Sequence, residues 1–386
     1  MAQINFDKIE TELTSQSKTH PWIARHIHIY HGIRDIFLAA GDGPESVEIA
    51  SVAIADLIAK SVCDDEEDED DDRHRLAEKD ADADSEKEWY PPVDYAAWYI
   101  MIRFLVGELM PGHPWHSALA RAVGELERFG IDERREGGKM WKGMYSLRVL
   151  VVDFFDGWFP SPDEEDTTSP SLRLTKLRTW KSLIAWMSQL PVSLRLTSHA
   201  LYTIEDSILE RFPSDDDPDG DDARLWGVLE WFICRSDALL ELMSPSPEEI
   251  ISETDAKYPH SRIPERHKMI GPRCRDKVSY PYCRARWEFW KRRLADMAEE
   301  EYVFDPEKTQ RIAKALEAME AAEDRLELKK TGAPLAEQGV ELDTGGKGRD
   351  LEAGEELLFT LDTDDLGGRS MLYAMPGVVG KQMVLG

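Results

Sequence analysis

Residues 93–110 read VDYAAWYIMIRFLVGELM, and their apolar side chains fall on two faces of one helix. Val93, Ala97, Ile100 and Phe104 make one stripe, and Tyr95, Trp98, Ile102, Leu105 and Leu109 make another. A helix apolar on both sides is stable in water only when other elements cover both sides, so it has to lie at the centre of a core. The rest of the chain supplies that cover in the same periodicity. Ile23, Ile27, Tyr30, Ile33 and Phe37 recur at steps of three and four, as one face of a helix requires. Gly41 and Gly43 mark its stop, and Pro44 opens the next helix, expected to reach Val62. Further helices are expected from Pro114 to Gly130 and over 139–157, 170–189, 193–211 and 222–243, with Asp305-Pro306 as N-cap and first residue of the last one.

Strand alternation is nearly absent before the C-terminal stretch. The fold expected is all-α: an irregular array of about ten helices around one core, with acidic disordered loops and a disordered C-terminal tail. Residues 64–72 are nine consecutive acids that repel one another. The segments expected are therefore N-terminal helices at 1–63, an acidic disordered linker at 64–88, a main helical domain at 89–329 and a poorly ordered tail at 330–386.

Composition narrows the function. The formal net charge is −29 over 386 residues, which repels nucleic-acid phosphates and anionic membranes alike. The longest apolar runs fall far short of the roughly 20 residues a membrane helix needs. Four cysteines without a paired spacing, and an N-terminus without an apolar signal core, point to the cytoplasm or nucleus rather than secretion.

No pattern argues for a catalytic centre. Asp64-Asp65-Glu66-Glu67-Asp68 spells an acidic metal-binding motif, but any run of acids contains it, and the second metal-binding set it would need is missing. His28 and His31 share a helix face, whereas His26 points about 200° away at 100° per residue. His260, His267, Cys274 and Cys283 are spaced by 7, 7 and 9 residues, wider than the tight pairs of structural zinc sites. Phosphate-binding glycine loops, nucleophile elbows and zinc-protease motifs are absent. No metal and no cofactor is expected.

One segment runs against the acidic background. From Arg262 to Arg293 there are 11 basic residues and three acidic ones, a local charge of +8, which leaves −37 elsewhere. Arg273, Arg275, Arg284, Arg286 and Arg292 are the candidate binding residues for an acidic protein partner or a phosphorylated ligand. Nucleic acid is disfavoured by total charge, although Tyr280, Tyr282, Trp287 and Trp290 interleave with the arginines as a nucleic-acid surface would want. Two bland explanations compete: the acidic stretches 163–166 and 214–222 lie against this segment and neutralise it, or Trp287 and Trp290 face the core while Arg284, Arg292 and Arg293 form a solvated helix face.

Trp287-Glu-Phe-Trp290-Lys291, a following helix carrying Met319, and LRTWKSLIAWMSQL at 177–190 together resemble a fungal helical family of unknown function, DUF3632, over residues 90–325. The resemblance implies an all-helical intracellular protein and carries no catalytic residues. The function expected is a non-enzymatic scaffold or interaction protein, with an accessory enzyme or small-molecule-binding protein of fungal secondary metabolism as the alternative. The interior discriminates. Trp98, Trp186, Trp231 and Trp287 packed together favour the scaffold. A cavity of a few hundred Å³ with polar groups such as His116, His199 or Glu230 favours the alternative.

Overall fold

The computed structural model describes residues 4–40, 44–77, 93–131, 144–159, 169–194, 196–244, 270–275, 278, 282–299 and 305–331. The helices are α1 (Phe6–Gln16), α2 (Pro21–Ala40), α3 (Pro44–Ala77), α4 (Val93–Ile100), α5 (Pro114–Ile131), α6 (Tyr145–Trp158), α7 (Pro170–Met187), α8 (Thr197–Glu205), α9 (Pro218–Leu242), α10 (Pro272–Arg275), α11 (Arg284–Glu299) and α12 (Pro306–Thr331). No strand occurs among the described residues. Residues 1–334 form one compact unit, so the N-terminal helices share a core with the main helical stretch. The expected tail falls almost wholly in a second unit, 335–386, outside the described residues.

Local signals start the helices. Asn5, the only asparagine of the chain, caps α1 by accepting from the Lys8 amide at 3.0 Å. Ser169, Asp217 and Asp305 cap α7, α9 and α12, each followed by a proline whose missing N–H costs nothing there.

The central helix behaves as its two stripes require. Trp98, Ile100, Ile102, Phe104, Leu105 and Leu109 are all buried, with α2, α3 and α6 packed on α4. It is not one uniform α-helix. Met101–Val106 is a π-helical turn, closed by the Gly107 amide bonding the Ile102 carbonyl at 3.0 Å. The wider turn rotates the register, and α1 and α7 pack on it. α7 bridges two groups of helices: it touches α5 and α6 on one side and α9 on the other, and α9 carries α8 and α12.

The helix expected over 193–211 is confined to Thr197–Glu205, behind a separate short turn at Val192–Leu194, and a larger difference lies at the acidic run. α3 does not stop at Val62 but runs through the nine acids to Ala77. A helix already nucleated over Pro44–Val62 extends at little cost per residue. The remainder of the expected linker, 78–88, lies outside the described residues. α1 and the short α10 were not anticipated from periodicity.

Candidate functional site

The basic segment meets the fold at Glu210, in the turns after α8. Glu210 and Arg286 are both 0% exposed. Arg286 donates from Nε to Glu210 Oε1 at 2.6 Å and from Nη2 to Oε2 at 2.9 Å. Trp290 Nε1 donates to Oε1 at 2.6 Å, and the Gly271 amide donates to Oε2 at 2.7 Å. Each carboxylate oxygen thus receives two donors, which is what a buried charge requires. The Glu210 backbone carbonyl accepts the Arg273 amide at 2.9 Å, tying α10 to the same point.

A second carboxylate, Glu323 on α12, is gripped one turn away. Trp287 Nε1 donates to its Oε1 at 2.6 Å, Lys291 Nζ lies 2.8 Å from Oε2, and Arg284 Nη2 lies 2.7 Å from Oε1. Burial works to raise the Glu323 pKa, but these donors together hold it below the ordinary carboxylate range. The Trp-x-x-Trp-Lys motif therefore has a physical meaning. Residues four apart lie over one another on a helix, so Arg286 with Trp290 holds Glu210, and Trp287 with Lys291 holds Glu323. α11 is stapled to the turns after α8 by one pair and to α12 by the other.

The candidate binding residues divide accordingly. Arg286 is not a surface residue: the fold consumes it. Arg284 is half-exposed and also pairs with Glu288 at 2.9 Å. Arg273 is half-buried, its guanidinium 5.3 Å from the Phe212 ring and bonded to the Ile208 carbonyl at 3.3 Å. Only Arg275 and Arg292 are exposed, bonding the Ile270 and Glu288 carbonyls respectively. Trp287 and Trp290 are buried and offer no stacking face. Tyr280 lies outside the described residues.

Among the described residues, Arg286, Arg284 and Lys291 are answered internally by Glu210 and Glu323; of the two acidic stretches expected to do this, only 214–222 is described. Asp217 pairs with Arg173 and Arg224, and Asp222 pairs with Lys181 and Lys308. The 214–222 stretch is thus held by α7, α9 and α12, while 163–166 lies outside the described residues. Glu210 had no local signal. It ends IEDSILE, unremarkable as a motif, and its partners are 76 and 80 positions away.

Beside this staple, the half-buried Glu205 carboxyl is pushed up to about 7 by burial, with Arg286 opposing and Glu210 adding to the rise. Elsewhere in the core, His116 on α5 is fully buried. Its Nε2 lies 2.9 Å from Ser182 Oγ, and that hydroxyl donates to the Val106 carbonyl of the π turn at 2.5 Å. Of the remaining motif candidates, His26 is buried, His28 exposed and His31 between them; His260 and His267 lie outside the described residues. No group of three potential metal-ligating side chains occurs among the described residues.

The four discriminating tryptophans are 0–1% exposed. The void beside Trp231 has about 20 Å³, room for one water-sized occupant. A surface cleft of about 300 Å³ is lined by Ser244, Arg284, Leu326, Glu327 and Lys330, away from His116, His199 and Glu230. No described helix is long and apolar enough to cross a membrane.

Fold and site together define an all-α protein whose tryptophan–cation motif closes on its own buried carboxylates. Residues 98–294, just over half of the chain, match the family described as protein of unknown function (DUF3632), and the chain belongs to that family. The match runs from α4 into α11, so Glu210, Arg286 and Trp290 lie inside it and Glu323 outside. No curated protein and no solved structure matches the chain.

Proposed function

We propose that the protein is a non-enzymatic, cytoplasmic or nuclear helical scaffold that binds an acidic protein partner. The observation that carries this reading is the complete burial of Trp98, Trp186, Trp231 and Trp287 in one packed core. The polar groups that could have converged on a ligand are instead taken up by neighbours. His116 meets Ser182, and Glu230 is held by Arg311 and Cys234. Of the five candidate arginines, Arg275 and Arg292 are exposed and left for a partner, and Arg284 is half-exposed.

The test is a thermal-shift screen of the full chain, at fixed chloride, against divalent metals, nucleotides, diphosphates and small metabolites. A ligand at about 100 times its Kd stabilises by roughly 2.7 kcal/mol. The scaffold reading expects flat responses, and expects a partner captured by affinity purification to be lost on charge reversal at Arg275, Arg284 and Arg292. A saturable shift overturns it.

The 300 Å³ cleft supports a second reading, as a site for a phosphorylated small molecule, because Arg284 and Lys330 both line it. That reading expects a diphosphate-induced shift that Arg284→Ala with Lys330→Ala removes.

A further inference from the structure

α9 breaks its helical geometry at Arg235, where φ is −135° and ψ is 16°. The Ser236 hydroxyl bonds back to the Phe232 carbonyl at 2.5 Å, a bond that bends helices. The Arg235 Nε donates to the Ser188 carbonyl, just past α7, at 2.6 Å. The arginine is thereby held against a cavity of about 20 Å³ between the end of α7, the short turn Val192–Leu194 and the start of α8.

Three positive features line this cavity. No carboxylate among the described residues lies within ion-pair distance of Arg235, and burial holds its guanidinium below the ordinary arginine value. Trp231, 1% exposed, has an indole N–H with no hydrogen-bond partner. α8 begins here at Thr197, and its N-cap, Leu196, gives the first turn no side-chain acceptor, only its carbonyl to the His199 amide at 3.0 Å. A helix N-terminus carries about half a positive charge and accepts anions on its free N–H groups.

A guanidinium without a counter-charge, a buried indole donor and an uncapped helix start surround a space for one atom-sized guest. We infer that the cavity binds one small monovalent anion of halide size. A water would satisfy the indole but not the charge. Sulfate and phosphate are larger and more strongly hydrated than a halide, and fit so small a space less well. Val192, 59% exposed, lies at the rim and gives access from solvent. This inference is independent of the scaffold reading.

The test uses the full chain at constant ionic strength, with gluconate replaced stepwise by chloride or bromide. The melting temperature should rise saturably with chloride and bromide, whereas sulfate should give only the unsaturating rise of an excluded salt. The chloride response should weaken about tenfold or more in Arg235→Gln, which removes a charge-assisted contact, and weaken less in Trp231→Phe. An identical response in wild type and Arg235→Gln overturns the inference, as does no anion dependence. If Arg235→Gln does not fold, excess ³⁵Cl linewidth in the wild-type protein, displaced by bromide and reduced in Trp231→Phe, supports the site; absence of excess linewidth sinks it.

Discussion

Arg286 and Glu210 join α11 to the turns after α8 by two hydrogen bonds, and neither side chain reaches solvent. Removing one partner leaves a buried charge unanswered, which costs about 3–5 kcal/mol. Glu210→Ala and Arg286→Met should each lower stability by about that amount in urea unfolding. Changing both should cost less than the sum of the single changes, because the second substitution removes the stranded charge. Strict additivity would show that the pair is not coupled.

Gly271 sits where a side chain cannot. A Cβ there would lie 2.5 Å from the Glu210 Cβ and 2.7 Å from its carbonyl oxygen. The carbonyl is backbone and is already bonded to Arg273, so it cannot swing aside. Gly271→Ala should destabilise by about 1–3 kcal/mol, the range for overpacking. Differential scanning calorimetry on this variant, beside Gly157→Ala at an open position, would expose any general effect of losing a glycine.

Acid should loosen the core through His116. Ser182 gives its only proton to Val106, so it accepts from His116 Nε2 and leaves Nδ1 buried without a partner. Burial foremost, with His113 adding, drives the His116 pKa down to about 3. The unfolded imidazole takes up a proton below about 6.5, so stability is lost as pH falls from there toward 3, by up to about 1.4 kcal/mol per pH unit. His199, lowered to about 4 mainly by burial, adds in the same sense. Glu205 opposes both: its raised pKa favours the protonated fold, and that contribution fades as pH rises through about 7. Between pH 5 and 6.5, His116→Gln should flatten the stability profile and Glu205→Gln should steepen it. Parallel profiles for the two variants would contradict these assignments.

α9 and α12 run parallel, with exposed pairs Asp237–Arg325 at 2.8 Å and Glu241–Lys329 at 2.7 Å along one edge. Solvent screens such pairs, so Arg325→Ala should cost less than about 1 kcal/mol. Arg311 differs: it holds the buried Glu230 and stacks 4.3 Å from the Trp226 ring. Arg311→Ala should cost about 1.5–3 kcal/mol. Chemical denaturation of both variants checks the contrast, and equal losses would refute it.

The legible part of the fold is the part written at short range. The two stripes of 93–110, the Pro114 and Pro170 starts, and the Asp305-Pro306 cap all became helices where the pattern put them. The acidic run did not follow its pattern, because charge composition suggested a break while propagation from the helix already formed continued it. For the site, the Trp287–Trp290 spacing was readable as a packing face, and the basic island as a charge needing an answer. Arg292 was readable as part of a solvated helix face with Arg284 and Arg293; that Arg286 belongs inside was not read, because its acceptor Glu210 lies 76 positions away.

Helix identity, helix starts and the two-sided character of the central segment follow from the sequence alone, since they depend on residues three and four apart. The choice of Glu210 and Glu323 as the receivers of the motif, the π turn that places the Val106 carbonyl before Ser182, and the meeting of Arg235, Trp231 and the α8 start were decided only by tertiary structure. Each joins groups separated by tens of residues, and only the packing of whole helices brings them within hydrogen-bond reach.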